Sequence, residues 1–205
     1  MQFSTLKLPR GIQLDYHLSL PQAPLESKPD KLMLAIPPGS QNHQEAAVYE
    51  IWLGAFQEAG WTTIIPVAPN EKLFFQGNER LIPPLLKHVE MQLGFKQARF
   101  GLLGISNGGI SAFRIATLNA ESFTKMVVIP GWPKPADAAR LEKLQEIATH
   151  IIVGAKDSHW LVKGQEFAEK INANGGKASL EIVPYEGHRV FASVEAAHLL
   201  KLLSD

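Results

Sequence analysis

The chain contains no cysteine. Disulfide staples, thiolate nucleophiles and cysteine-ligated zinc are therefore excluded, and cysteine usage says nothing about redox compartment. Net charge is also absent, because 20 basic side chains offset 20 acidic ones at a pI near 7.1. With no broad basic field to attract phosphate backbones or anionic lipid, neither nucleic acid nor a membrane surface is an expected partner. No apolar run approaches the roughly 18–20 residues that a membrane-spanning helix needs. The opening residues, MQFSTLKLPRG, lack the charged start, apolar stretch and small-residue cleavage site of a signal peptide. The expectation is a soluble cytoplasmic protein, although a signal removed earlier would be invisible here. Internal repeats and low-complexity tracts are missing too, and the proline-rich stretch from Pro21 to Pro29 reads as a turn between early strands.

What the chain does have is material for a core. Apolar residues make up 45% of its 205 positions. A chain of this length buries roughly 70% of the surface it exposes when unfolded. One domain over residues 1–205 is the expectation.

Short runs rich in Val, Ile and Leu alternate with longer stretches of helical spacing. Residues 13–20 alternate apolar and polar side chains, as an edge strand would. Residues 31–36, 62–67, 99–105, 125–129 and 151–153 are almost continuously apolar, which marks strands covered on both faces of a parallel sheet. A last strand is expected at 180–183. Helices are expected at 45–59, 79–93, 107–119, 136–148, 160–173 and 190–203, with Pro83 and Pro84 at the start of the regular part of the second. Alternating strands and helices give a three-layer α/β sandwich, a mostly parallel central sheet with helices on both faces. Functional loops then gather beyond the C-terminal ends of the strands. About 20 residues separate Ile129 from Ile151, and they read mostly as one helix. That leaves no room for a cap domain.

The 99–105 strand ends in Gly104-Ile105-Ser106-Asn107-Gly108-Gly109, and a helical pattern follows at once. This is G-x-S-x-G in the strand-turn-helix context that gives it chemical meaning. So tight a turn needs nearly bare neighbours two residues to either side of the serine, and Gly104 and Gly108 provide them. The hydroxyl is then held above the sheet edge at the positive end of a helix.

A hydroxyl is a poor nucleophile at neutral pH, so a base must take its proton and a third group must orient that base. Asp157 follows the 151–153 strand and His188 follows the 180–183 strand, in the order serine, acid, base. Of the other acids, Asp15 and Asp30 precede the serine, Asp137 begins a helix, and Glu186 reads as solvated. His159 is the nearest rival base, but it is too close to Asp157 in sequence to approach from a separate loop. An oxyanion needs a second donor besides the Asn107 amide. The loop Pro37-Pro38-Gly39-Ser40 can supply it, with Ser40 N–H as the partner and the amides of Gly39 and Gln41 as alternatives. One such donor is worth about 3 kcal/mol of transition-state stabilisation.

In the segments GISNGG, GAKD and EGHRVF the chain resembles the α/β-hydrolase superfamily over nearly its whole length. It looks most like the small, lidless members of the dienelactone hydrolase and phospholipase/carboxylesterase type. The resemblance implies a serine esterase working through an acyl-enzyme, with Ser106, Asp157 and His188 as its triad and a small-molecule ester as its substrate. Two departures stand out. The oxyanion segment reads PPGS where many family esterases carry a histidine-glycine-glycine run. The nucleophile is serine where dienelactone hydrolase itself uses cysteine, which argues against carrying that substrate across.

No metal or other cofactor is expected, since the histidines are scattered over different elements. Phe74, Phe75, Trp132, Trp160 and Phe191 are the expected walls of an open cleft, with Leu73-Phe74-Phe75 as an apolar patch in a polar loop. Peptides, thioesters or an acyl-transfer acceptor are alternative substrates for the same triad. A hydrolase-fold binding protein without turnover is the alternative from outside enzymology. Acyl-chain preference and oligomeric state are not encoded legibly.

Overall fold

The computed structural model describes residues 1–22, 31–39, 42–95 and 98–204. Its strands are β1 (Gln2–Lys7), β2 (Gln13–Ser19), β3 (Leu32–Ile36), β4 (Thr62–Val67), β5 (Phe100–Ile105), β6 (Phe123–Ile129), β7 (Ala148–Gly154) and β8 (Lys177–Val183). They form one sheet in the order β1-β2-β4-β3-β5-β6-β7-β8. β2 runs antiparallel to both of its neighbours, and every pairing from β4 through to β8 is parallel.

Continuous apolarity in these strands has a direct cause. Leu32, Leu34 and Ile36 of β3 enter the core layer on one face of the sheet, while Met33 and Ala35 enter the layer on the other. The same division separates Met126 and Val128 from Val127 and Ile129 in β6. Successive side chains of a strand point to opposite faces, so a strand covered twice must be apolar throughout.

The helices are α1 (His43–Ala46), α2 (Glu50–Glu58), α3 (Ile82–Leu93), α4 (Asn107–Leu118), α5 (Pro135–Ala138), α6 (Ser158–Ala173) and α7 (Ala196–Ser204). Residues of α3, α4 and α6 fill the first layer, through Leu85, Phe113, Ile115 and Ile171 among others. Residues of α2 and α7 fill the second, through Trp52, Phe56 and Leu199. The architecture is therefore the three-layer α/β sandwich expected, with no cap among the described residues.

Four local expectations need correction. β2 is not an edge strand; β1, unread in the sequence, covers its outer side. The 45–59 helix is interrupted, with a 3-10 turn at Ala47–Tyr49 between α1 and α2. Likewise, a 3-10 turn at Val190–Ser193 precedes α7, so the last helix starts later than the spacing suggests. Residues 136–148 are not one helix. They form the short α5, a 3-10 turn at Leu141–Leu144 and the start of β7. Leu141, Leu144 and Ile147 all reach the first core layer, and their spacing of three suits a helix of three residues per turn.

The sheet order reverses direction between β3 and β5, which pair from Met33–Gly101 to Ile36–Gly104. Crossovers leave these two strands in opposite directions, which opens a crevice at their C-terminal ends. Tyr49 braces this point. Its buried hydroxyl donates to the Ile36 carbonyl at 2.8 Å and lies 3.3 Å from that of Leu103. Burial pushes the phenol well above its ordinary pKa, so it stays a neutral donor. Tyr49→Phe is expected to lower the unfolding free energy by about 1–2 kcal/mol in a urea titration. An unchanged midpoint would show that the hydroxyl contributes nothing.

Candidate active site

Ser106 lies between β5 and α4 with φ 55° and ψ −118°, a left-handed conformation that L-residues avoid. Crowding around the turn explains it. A Cβ at Gly104 would lie 2.5 Å from the Gly108 carbonyl oxygen, and a Cβ at Gly108 would lie 2.1 Å from that of Ile36. No side chain larger than hydrogen fits at either position. Helix α4 is thus pressed directly against the end of β3, and Ser106 is left as the side chain that projects from the turn. Asn107 is the first residue of α4, so its N–H is one of the donors that the helix itself cannot satisfy.

Asp157 occupies the N-cap position of α6, yet its side chain makes no capping bond. The carboxylate instead reaches the imidazole of His188, with Oδ2 2.6 Å from Nδ1. The other ring nitrogen, Nε2, lies 2.8 Å from Ser106 Oγ across 82 positions of sequence. An ionised carboxylate only accepts, so Nδ1–H donates to Asp157 and a neutral ring leaves Nε2 to accept from the hydroxyl. The three residues that the sequence singled out are therefore joined in one hydrogen-bonded line.

Backbone ties hold the two supporting loops together. Ala155 N–H donates to the Val183 carbonyl at 3.0 Å, and Lys156 N–H donates to that of Glu186 at 2.7 Å. Val190, fully buried, anchors the chain just past His188 into the core. Glu186 is not simply solvated: its Oε1 accepts from Ser193 Oγ at 2.5 Å, bridging the turn that carries His188.

The aromatic residues divide. Trp160 lies 4.8 Å from the His188 ring centroid, and Trp132 lies 4.0 Å from Trp160. Lys134 Nζ extends the row, 5.4 Å from the centroid of Trp132 and 5.5 Å from that of Phe75. His159 packs edge-on against Trp132 and makes no bond to Ser106 or Asp157, so it does not compete for the base position. Phe191 lines a different cleft, of about 500 Å³, shared with Val48, Ile51, Trp52 and Arg189.

Phe74 is no wall at all. It is fully buried in the core beneath a loop that Asn78 closes with bonds to the Pro69 and Lys72 carbonyls, both 2.8 Å. Leu73 is buried with it, so no exposed apolar patch exists there.

In the loop after β3, Gly39 N–H donates to Glu45 Oε2 at 3.1 Å. Its amide is already engaged, a contact that the sequence reading missed. Ser40 and Gln41, the other two donor candidates, lie outside the described residues. Glu45 stands at the third position of α1 behind the Asn42 cap, a spacing at which a carboxylate commonly turns back toward the incoming chain. Among the described residues, no three His, Asp or Glu side chains converge to hold a metal ion, and no helix is long and apolar enough to cross a membrane.

Neither a protein-family model nor a curated protein matches the sequence. Solved structures do. An S-formylglutathione hydrolase from Agrobacterium tumefaciens superposes with a TM-score of 0.77 at 14% identity, over 98% of this chain and 95% of that one. A putative dipeptidyl aminopeptidase IV from Bacteroides ovatus gives 0.76 at 15% identity, over 98% of this chain. A thermostable esterase gives 0.69 at 16% identity, over 89% of this chain. The chain spans 54% of the length of that esterase and 35% of that of the peptidase.

The fold is the α/β-hydrolase fold.

In an α/β-hydrolase sheet, the strained turn after β5 is the feature most dependent on local backbone geometry. That strain is open to measurement. Ser106→Gly is expected to be more stable than Ser106→Ala by about 1 kcal/mol or more, because glycine alone adopts φ 55° without penalty. Equal melting midpoints for the two variants would contradict the strained turn.

Proposed function

We propose that the protein is a serine hydrolase that cleaves carboxylic esters through an acyl-enzyme on Ser106. The observation that carries this reading is the continuous line from Ser106 Oγ to His188 to Asp157, at 2.8 Å and 2.6 Å. Ser106 Oγ attacks the carbonyl carbon while His188 Nε2 takes its proton. Asp157 keeps the ring in the required tautomer and stabilises its charged form. The Asn107 amide and that of Ser40 or Gln41 bind the developing oxyanion in this reading, the Gly39 amide being engaged by Glu45. His188 then returns the proton to the departing alcohol, and water hydrolyses the acyl-enzyme by the same steps in reverse.

Residues 1–205 act as one catalytic domain in this reading. The substrate is a small ester that reaches the site without displacing a cap. The His188 side chain is 43% exposed and that of Asp157 only 12%, which fits a base open to substrate and an orienting acid shielded from water. Trp160, with Trp132 and Phe75 beyond it, offers an apolar wall beside the imidazole, while Phe191 lines a separate cleft.

Peptide cleavage is the second reading. The likeness to a putative dipeptidyl aminopeptidase supports it, and the same relay serves both bonds.

A fluorophosphonate probe is expected to label Ser106, and to label neither Ser106→Ala nor His188→Ala. Against p-nitrophenyl esters of increasing chain length, Ser106→Ala, Asp157→Asn and His188→Ala should each lower kcat by about 10³-fold or more while leaving the fold intact. A folded, unlabelled wild-type protein would defeat the catalytic reading. Turnover of dipeptide amides in preference to esters would select the peptidase.

A further inference from the structure

The proposed catalytic relay uses only the C-terminal edge of the sheet. Toward the opposite edge, on the face covered by α2 and α7, lies a separate cavity of about 430 Å³. It sits between the N-terminal halves of β6, β7 and β8 and the last turn of α7. Lys125, Lys177 and Lys201 line it together with His150 and Ser179, Ala148 and Leu202 supply apolar surface, and Ala178, whose side chain packs on the other face of the sheet, contributes backbone.

Register places these groups on neighbouring strands. Lys125 pairs with Ala148 and Ala148 with Lys177, so two lysines flank a small residue across three adjacent strands. His150 and Ser179 pair in the next row, with His150 Nδ1 2.8 Å from Ser179 Oγ.

The lysines of this cavity differ from others on the surface in their partners. Lys163 and Lys170 elsewhere both bond Glu166 at 2.7 Å. By contrast, Lys125, Lys177 and Lys201 have no carboxylate partner among the described residues. The nearest acid along β8, Glu181, is taken by His198 Nε2 at 2.6 Å. Burial, reinforced by Lys125 and His198, holds the His150 pKa below its usual value.

We propose that this cavity is a binding site for a small organic phosphate monoester. The dianionic head would be shared by the lysine ammonium groups and the one donor that the His150–Ser179 pair leaves free, while the organic group rests on Ala148 and Leu202. Three lysines lining one cavity supply the charge that a phosphate dianion would need. The apolar floor adds affinity for an ester over the bare ion. Confinement to a pocket on a chain of zero net charge distinguishes it from the extended basic stripe that a nucleic acid would need.

Phenyl phosphate tests the assignment on the full chain. Its titration, followed by NMR at neutral pH, should shift the His150 ring and the amides of Ala178 and Ser179 saturably, and equally in wild type and Ser106→Ala. Lys125→Gln, Lys177→Gln and Lys201→Gln should each weaken binding by about threefold, and the triple variant by more than about tenfold, with hydrolytic activity unchanged. Inorganic phosphate and phenol should each bind about tenfold more weakly than the ester. Shifts confined to the Ser106 edge, or a triple variant with native affinity, would overturn the site. Equal affinity for inorganic phosphate would overturn the organic ester as its ligand. Should the triple variant misfold, the three single variants decide the question.

Discussion

The close approach of α4 to the end of β3 is the constraint on which the rest of the structure depends. Where a Cβ at Gly108 would stand 2.1 Å from the Ile36 carbonyl oxygen, only hydrogen fits, so strand and helix meet backbone to backbone. That contact sets the pitch of the turn and forces Ser106 to φ 55°, at a cost of about 1–3 kcal/mol. Two core layers offset the cost by holding both elements in place. Phe113 and Ile115 lock α4 on one face, while Tyr49 ties the chain entering α2 to the ends of β3 and β5 on the other. Remove the contact and the serine has no reason to project above the edge.

Parallel pairing then does the assembling. Because β5, β7 and β8 all point the same way, the turns after them emerge on one edge although they lie far apart in sequence. Proximity alone would leave the side chains loosely arranged. The bonds from residues 155 and 156 to the β8 loop fix the approach of Asp157 to His188 more closely than the strands could. The carboxylate that would otherwise cap α6 is thereby committed to the imidazole.

How much of this was legible in the sequence follows from how local each signal is. Gly104, Ser106 and Gly108 crowd one another within five positions, so the turn announces itself. β7, before Asp157, is mostly buried and its apolarity announces it, whereas β8, before His188, is the edge strand with no buried residue and is marked only by its short LEIV run. β1 is the outermost strand and largely exposed, and QFSTLK carries little apolar pattern as a result. The 136–148 segment reads as a helix because its leucines suit one, but Asp137 must turn inward to meet Arg114 of α4. Tertiary demand overrode propensity there. Phe74 looked like cleft lining because nothing in the sequence shows that Asn78 folds its loop inward. The engagement of Gly39 by Glu45 depends on where a loop meets a helix, a matter of three-dimensional path.

The same buried aspartate explains how a site without a cap can be well ordered. Asp137 is wholly buried and accepts from Arg114 Nε at 2.5 Å and from an Arg140 terminal nitrogen at 2.7 Å. Removing one partner of such a pair typically costs about 3–5 kcal/mol, because the remaining charge is stranded in a poor solvent. Arg114 belongs to the helix that begins beside Ser106, and Asp137 follows by a few residues the loop that carries Trp132 and Lys134. The ion pair therefore welds an aromatic wall of the cleft to the helix behind the nucleophile. A cap achieves selectivity by closing over the substrate. Here the Trp132–Trp160 pair is fixed beside His188, whose side chain is 43% exposed. For the hydrolysis proposed above, a wall pre-set in this way lowers the cost of ordering a small substrate and leaves its solvent-facing side free to vary.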